Sequence, residues 1–493
     1  MRRSSGIPLT IPAPIRGWNT VASIAEIPPD QAIVLDNLIP STGSVTSRKG
    51  HSVYATSVGS GNVDSLFELN ALSANKMIAA ASGALYDVTV AGAAVSLATG
   101  FSSNQWQGAV FNATLGLVNG TDLPQTYDGT TVAAMTVSGS GLTVNNLTSI
   151  AVFKNRTYFT EAGQQGFWYS ALSALGGVLT FFPLGKVGTF GGNLIAIQNY
   201  TKDGGTGQDD FICFFMSTGE ILVYSGTNPG SDFVLIGVFK TGRPIGARSI
   251  VKFGADILFV TNEGYLTVSG LLPLSFGKTN SKLNEFIKGA ASNAVTANPL
   301  GFGWQVVVSP ADNILLVNVP QTNNVFVQHV LNVNTEAWCR FTGFNSRCWC
   351  TFGQNLYFGS TNGTVYLYGP EYTDIGEPVT SVYQSPYLSL GGSGQARVTA
   401  FRPRARIDGG LTLTVSKSVD FKPFSMPYTV SYSFLGAEWG DPWGSPWATS
   451  NTILNYLNLV GICYDISVSL EFTSGSLVDY FSTNFLAQGA GRI

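Results

Sequence analysis

The sequence has little charge and little cysteine. Only 11% of its 493 residues are Asp, Glu, Lys or Arg, under half the ~25% that is usual for soluble domains. It has five cysteines, an odd number and too few for a disulfide scaffold, which favours assembly in a reducing cytoplasm. The 26 basic and 29 acidic residues nearly balance, so nothing in the composition requires a nucleic-acid-binding surface.

Long apolar runs are also missing. No stretch approaches the ~18 uninterrupted apolar residues of a membrane span, so we expect none. The basic start Met1-Arg2-Arg3 is followed by a segment broken by Pro8 and Pro12, which is not typical of a signal peptide. Apolar residues still make up 44% of the chain. Low charge together with 57 Gly and 12% aromatic residues predicts that much surface is buried against other chains, and a secreted β-protein is the alternative.

The residue patterns of common catalytic and metal sites are absent. The two histidines, His51 and His329, are far apart, and neither begins a His-Glu-x-x-His motif. Cys348-Trp349-Cys350 lacks the spacing of a Cys-x-x-Cys site, and core packing explains it better. Residues 204–209 match one turn of a calcium-binding repeat without a second copy, which favours a loop tip. The sequence predicts no enzyme, no metal and no cofactor.

Paired β-strands dominate residues 60–370. An alternating apolar strand meets a Gly or Asn turn, and a second strand rich in Tyr, Leu and Val returns, which is a hairpin signature. Clear examples are Met77–Val90, Phe211–Gly226, Asp256–Gly270 and Asn355–Gly369. The spacing approaches the ~40–50 residues of a propeller blade. We therefore predict an all-β chain with a β-propeller of six or seven blades over residues 51–370; two or three stacked sandwiches are the alternative.

Two departures from this pattern follow along the chain. In Asn280–Ala294, apolar residues recur at helical spacing, which predicts a short helix inserted between blades and packed on the propeller; they are Leu283, Phe286, Ile287 and Ala290. After Pro370, strands such as 411–416 and 466–472 alternate strictly between apolar and polar residues. Residues 371–493 are therefore expected to form a separate β-sandwich-like domain.

The first 50 residues do not fit the repeat. Ala32, Leu35 and Leu38 have helical spacing, which predicts one helical turn, and the chain then reaches basic Arg48 and Lys49. One interpretation is that this segment only closes the propeller by adding a strand to the last blade.

Three arginines are predicted to share one face of a strand. Arg402, Arg404 and Arg406 alternate with Pro403 and Ala405, and side chains of a strand alternate at period 2. They are candidates for docking a carboxylate-bearing partner, because guanidinium groups pair with planar acids. An edge strand protected by charge against mispairing is the alternative.

Three tryptophans recur at every fourth position in residues 439–447. They are Trp439, Trp443 and Trp447, and the glycines and prolines between them exclude a helix. An extended loop with three Trp side chains favours anchors at a protein interface, where Trp is enriched, over a platform for stacking on sugars.

Several short motifs, structural in character and not catalytic, resemble those of the tail nozzle proteins, also called tail tubular protein B, of short-tailed bacteriophages. The likeness is good over residues 14–170 and weaker beyond, with only β-rich character at the C-terminal end. The motifs are Ile15-Arg16-Gly17-Trp18-Asn19, the run from Ala32 through Asp36-Asn37 to Pro40, Ser47-Arg48-Lys49-Gly50, Asn104-Gln105-Trp106-Gln107, Leu117–Asp122, Tyr127-Asp128-Gly129, Lys154–Phe159 and Phe167-Trp168-Tyr169-Ser170.

The resemblance implies a structural role. Six copies would form a ring in the virion tail, assembled in the host cytoplasm, below the adaptor ring that hangs from the portal. The lumen would conduct viral DNA without reading its sequence. Residues 1–50 would be a docking arm, with Asp36, Asn37, Arg48 and Lys49 as candidate contacts to a neighbouring copy or the tail adaptor. Tail fibres or spikes are further candidate partners.

Low charge agrees with a conduit, because a lumen rich in Lys and Arg would hold the DNA and hinder its passage. One inward Lys per subunit in a sixfold ring would make about six phosphate contacts, each of which strengthens binding to DNA. Two other functions stay open: a carbohydrate-binding tail or surface protein that uses the Trp loop, and a glycan hydrolase or lyase on a propeller scaffold. Rings of about six copies would favour the nozzle, whereas receptor-binding tail spikes are typically trimers.

Overall fold

A computed structural model describes residues 7–70, 75–203, 208–271, 283, 285–299, 302–391, 394–432, 451–453 and 455–489. Within them the chain is almost entirely β-strand, with one α-helix, Lys288–Ala297, and short 3-10 turns at Val144–Asn146, Ala247–Ser249 and Thr322–Asn324. The predicted all-β class is confirmed.

Six consecutive antiparallel sheets follow one another along the chain, and we number them as blades 1 to 6 from the N-terminal end. Blades 1 to 4 have four strands each. Their strands are Val63–Leu69, Lys76–Ala81, Ala84–Asp87 and Val95–Thr99; Gln107–Phe111, Thr114–Val118, Gln125–Tyr127 and Val132–Ala134; Leu147–Phe153, Arg156–Glu161, Gly166–Tyr169 and Thr180–Pro183; and Leu194–Asp203, Gln208–Met216, Glu220–Ser225 and Val234–Lys240.

The later blades are less regular. Blade 5 has three described strands, Ile250–Phe253, Asp256–Thr261 and Gly264–Thr267, and the helix packs beside the last of them. Blade 6 consists of Gln305–Ser309, Ile314–Pro320, Phe326–Asn332 and Ala337–Phe341. The helix begins at Lys288, later than predicted, so Phe286 and Ile287 precede it in a turn.

Blade 7 joins both ends of the propeller. Its inner strands, Ser346–Phe352, Asn355–Ser360 and Val365–Tyr368, are completed by an N-terminal strand, β5 (His51–Thr56), antiparallel to the last of them. The innermost strand of each blade contacts that of the next, and blade 7 contacts blade 1. The sheets therefore form a closed propeller of seven blades, within the predicted range.

Two further sheets form a sandwich beside the propeller, and four short N-terminal strands belong to them: β1 (Ile7–Pro12), β2 (Val34–Asp36), β3 (Leu38–Pro40) and β4 (Val45–Ser47). One sheet contains β1, β3, β4, Val478–Gly489, Ala396–Ile407, Asn451–Thr452 and Leu457–Cys463. The other contains β2, Glu377–Gln384, Leu388–Ser389, Asp465–Ser474, Leu411–Val419 and Tyr428–Tyr432. The sandwich is thus completed by residues from outside 371–493.

The predicted helical turn near Ala32 is wrong. Ala32, Leu35 and Leu38 are all buried, but the chain is extended there and forms β2 and β3. Each strand has only three residues, too few to show the two-residue alternation of a longer strand. The apparent helical spacing arises because the buried residues of β2 and β3 pack against different partner strands. β2 pairs with Glu377–Gln384 on one side and meets Arg340 of blade 6 on the other. One hydrogen-bonded sheet therefore runs from blade 6 into the sandwich.

Pairs of neighbouring blades share hydrophobic cores. Separate clusters lie between blades 7 and 1, 1 and 2, 2 and 3, 3 and 4, and 4 and 5. The largest cluster includes Leu35 and Leu38 of the N-terminal segment, Trp338 of blade 6, and Tyr480 of the sandwich. Burial of these apolar side chains is the main force that holds the blades and the sandwich together.

Minor strand pairs complete the described structure. Gly92–Ala93 pairs parallel with β5, Val137–Ser138 pairs parallel with Gly177–Val178, and Thr373–Asp374 pairs with both β5 and Glu377–Gln384. None of the helices in the described ranges has the length and apolar character needed to cross a membrane.

Candidate functional site

Asp36 and Asn37 make their contacts within the chain. Asp36 accepts two hydrogen bonds, at 2.7 and 2.6 Å, from Nε and Nη2 of Arg340. Asn37 has φ = 58°, in the left-handed region that Asn tolerates. Its Nδ2 donates to Thr342 Oγ1 and the Thr380 carbonyl, and its Oδ1 accepts from Arg48 Nε and the Thr342 amide. Asn37 thus joins blade 6 to the sandwich.

Arg48 is 1% exposed, and its five N–H groups all have acceptors. Nε donates to Asn37 Oδ1, Nη1 to the Lys49 carbonyl and Asp374 Oδ1, and Nη2 to the Thr342 carbonyl and Asp374 Oδ2. The guanidinium also lies 3.9 Å from the ring centre of Phe344. We call Asn37, Arg48 and Asp374 the clamp. The structure therefore corrects the prediction for Arg48, which has an intrachain role in place of a docking surface.

Asp374 is held ionised by the clamp. Burial opposes ionisation, but hydrogen bonds from Arg48 and His51 and the charge of Arg48 outweigh it and lower the pKa of Asp374 to about 2. His51 Nδ1 lies 2.9 Å from Asp374 Oδ1. Lys49 differs from its neighbour: it is 43% exposed and reaches Asp312 at 2.8 Å. A contact between Lys49 and another chain stays a prediction.

Arg402, Arg404 and Arg406 do lie on one face of strand Ala396–Ile407, opposite buried Phe401 and Ala405. This strand pairs with Val478–Gly489 along one side, and on the other side with Leu457–Cys463 near its start and with Asn451–Thr452 at Arg406 and Ile407. The alternative of a protected edge strand is therefore wrong. Arg406 pairs with Asp479, and Arg402 lies 4.8 Å from the ring centre of Tyr456. Arg404 is exposed. A docking role for this face stays a prediction.

Trp439, Trp443 and Trp447 lie outside the described residues, as does the loop at 204–207. The five cysteines are all free and buried, and Cys348 and Cys350 belong to the core between blades 7 and 1. Within the described ranges, no group of three or more His, Cys, Asp or Glu side chains is arranged to hold a metal ion.

Two adjoining cavities occupy the centre of the propeller. The deeper one, of about 240 Å³, is lined by the innermost strands of several blades and contains the amides of Gln107, Gln198 and Gln305. The outer one, of about 470 Å³, forms the mouth on one face of the propeller. Its polar lining includes Gln105 and Asn193, and its aromatic lining is Phe302 and Trp304.

Arg248 lines both cavities. It follows Gly246 at the start of blade 5 and reaches across the centre of the propeller. Its Nη1 donates to the Asp64 carbonyl at 2.7 Å, and its Nη2 donates to Ser65 Oγ at 2.5 Å and to the Trp106 carbonyl at 2.7 Å. The side chain therefore spans from blade 5 to blade 1 and to the entrance of blade 2.

A second arginine and one carboxylate accompany Arg248. Arg347 Nε donates to Asp64 Oδ1 at 2.6 Å, and both guanidinium groups lie 4.9 Å from the ring centre of Phe302. Burial raises the pKa of Asp64, although the charge and hydrogen bond of Arg347 oppose the shift. Two cations and one carboxylate leave this group with a net positive charge.

The outer strand of blade 4, Val234–Lys240, is an apolar sheet edge. Among the described strands it pairs only with Glu220–Ser225. Val234 is 59% and Ile236 51% exposed, and Leu235 and Val238 are also exposed. An edge strand with apolar side chains on both faces invites pairing with another chain. Sequence reasoning missed these residues, because the nearly continuous apolar run VLIGVF is also typical of a buried strand.

No family model matches the chain, and no curated protein matches it. A chain in the crystal structure of BBS1N in complex with ARL6DN is 9% identical, with a TM-score of 0.42, covering 66% of this chain and 99% of that chain. YCF48 bound to a D1 peptide gives 9% identity and a TM-score of 0.39, covering 70% and 99%. A chain in the crystal structure of the Mitotic Checkpoint Complex is 8% identical, with a TM-score of 0.39, and the match covers 66% of this chain and 93% of that chain.

Proposed function

We propose that this chain is a structural subunit of a multi-copy ring, the nozzle of a short-tailed bacteriophage tail. The observation that carries the proposal is the apolar edge of blade 4. Exposed apolar strands at a sheet edge are a liability in a lone chain. Only 11% of the residues are charged, so little in the composition opposes association. A second copy of the chain is the partner that would cover this edge.

The motifs in residues 14–170 that resemble nozzle proteins support the phage assignment, with an adaptor ring as the neighbouring tail component and six as the expected number of copies. Such a ring would conduct DNA through the central lumen that its subunits enclose. The deeper central cavity of about 240 Å³ is smaller than the ~300–1,000 Å³ of an ordinary small-ligand pocket, so a duplex cannot thread one propeller.

The test is the mass of the assembled particle. Purified full-length chain, examined by native mass spectrometry and electron microscopy, is expected to form rings near six copies. Ile236→Lys places a charge on the exposed edge of blade 4 and is expected to shift the population toward monomer, with the thermal unfolding temperature of the monomer unchanged. Val90→Lys is the matched control, because Val90 is 77% exposed on blade 1 and outside this edge.

Other outcomes would contradict the proposal. A trimer would favour receptor recognition, and rings that form equally well with Ile236→Lys would remove the blade 4 edge from the interface. The proposed role also includes no catalytic step. New reducing ends released from host envelope glycans by the purified protein would contradict that part of it.

A further inference from the structure

The mouth of the central cavity is lined by a positively charged side chain, that of Arg248. Arg248 is the one charged residue among those that line the two cavities in the described part of the chain, and no Asp or Glu lines either of them. The nearby carboxylate of Asp64 is already paired with Arg347. A guanidinium with no opposing carboxylate in the cavity attracts anions, especially carboxylates and phosphates.

Arg248 is fixed before any ligand arrives. Its three hydrogen bonds to Asp64, Ser65 and Trp106 use three of its five N–H groups. In the described structure, Nε–H and one Nη1–H are not used by these bonds. Because the guanidinium is held by groups from two directions and packs on Phe302, a ligand would not have to order it. Such preorganisation reduces the cost of binding.

The remaining lining can hold the rest of a small molecule. The mouth has about 470 Å³, within the range of ligand pockets. The polar residues Gln105, Asn193 and Ser217 and the aromatic residues Phe302 and Trp304 also line the mouth. A few convergent polar groups beside aromatic side chains are typical of binding sites for small molecules.

We propose that the mouth of the central cavity binds a small anion that bears a carboxylate or phosphate group, through the two remaining N–H groups of Arg248. The site is formed within a single propeller, so it does not depend on the ring. The proposal and the proposed function can therefore fail separately.

The experiment is isothermal titration calorimetry with inorganic phosphate and with citrate, at constant ionic strength, using glycerol as the uncharged probe. Saturable heat is expected with one or both anions and not with glycerol; the stronger response identifies the preferred anionic group. Gln107→Glu is expected to weaken binding at least tenfold, because it places a carboxylate in both cavities without removing a bond of Arg248.

Arg248→Gln is the second variant and is expected to abolish binding. Arg397→Gln is the matched control, since Arg397 is exposed on the sandwich and its loss changes the net charge equally. Equal binding by wild type, Gln107→Glu and Arg248→Gln would overturn the proposal, as would the absence of saturable heat with both anions at millimolar concentration. Should Arg248→Gln fail to fold, the Gln107→Glu result decides.

Discussion

At the scale of single residues, the clamp shows how a buried charge is made tolerable. Arg48 is withdrawn from water, which costs several kcal/mol unless every donor is satisfied. Asn37 supplies an acceptor, and Asp374 supplies two oxygens and the opposite charge. These partners come from the N-terminal segment and from the strand that leads into the sandwich. The Thr342 carbonyl, just after blade 6, accepts a further hydrogen bond from Arg48. One side chain therefore fixes the relative placement of the N-terminal segment, blade 6 and the sandwich.

We expect Arg48→Gln to destabilise the protein by about 2–4 kcal/mol, because it leaves the partly buried carboxylate of Asp374 without its cation. The neighbouring variant Lys49→Gln is the control. It removes a half-exposed ion pair with Asp312, for which a loss of at most ~1 kcal/mol is expected. Urea unfolding followed by tryptophan fluorescence measures both. Equal losses for the two variants would refute the structural role of the clamp.

His329 gives a prediction about pH. It is buried on blade 6, where its Nδ1 lies 2.7 Å from the Tyr265 hydroxyl and its ring meets Trp18. Burial, with a smaller effect of the Arg340 charge, lowers the pKa of His329 to about 3. The folded pKa is below the ~6.5 of an unfolded histidine. Stability is therefore full above about pH 6.5 and is lost as the pH falls toward 3, by up to ~1.4 kcal/mol per pH unit.

The direct measurement is NMR of the imidazole groups. The chain has two histidines, so a His51→Gln variant leaves His329 as the single signal. We expect that signal to remain in the neutral form between pH 7 and pH 5 while the protein stays folded. Titration of His329 with a midpoint near 6.5 would contradict the burial that the structure shows.

At the scale of elements, local patterns explain part of the fold. The hairpins were predictable because each turn is encoded by adjacent residues; Gly83 and Gly363, for example, have φ of +72° and +73°, which glycine adopts without strain. The N-terminal strands were not predictable in the same way. β2 is defined by Tyr383 and Arg340, more than 300 residues away, and three residues carry no period of their own.

The N-terminal strands also determine what a truncation should do. We expect deletion of residues 1–50 to give a protein that aggregates or binds a hydrophobic dye, because it removes β1 to β4 and Arg48 and uncovers core residues such as Phe341 and Tyr480. Deleting only residues 1–12 removes β1 and keeps the clamp, so a soluble and less stable protein is expected. Expression yield, dye binding and thermal unfolding compare the two. A 1–50 deletion as stable as the full chain would contradict this.

At the scale of the whole molecule, the propeller and the sandwich are joined by backbone hydrogen bonds as well as by side chains. β2 lies between blade 6 and Glu377–Gln384, so the two units share one sheet. Composition and turn spacing were sufficient for the class of fold and the range of blade numbers. The cationic cavity was not predictable, because Arg248 meets Ser65 and Trp106 only once seven blades have closed around the centre.

The closing strand β5 has a consequence for synthesis on the ribosome. β5 emerges early, but its partner Val365–Tyr368 follows about 300 residues later, which at ~5–20 residues per second is on the order of 15–60 s of translation. Throughout that interval the nascent chain holds an open arc of blades and a strand that lacks its antiparallel partner. A message truncated before codon 365 would yield blades that cannot close into a ring. The chain therefore leaves the aggregation-prone state only after Val365–Tyr368 has been synthesised.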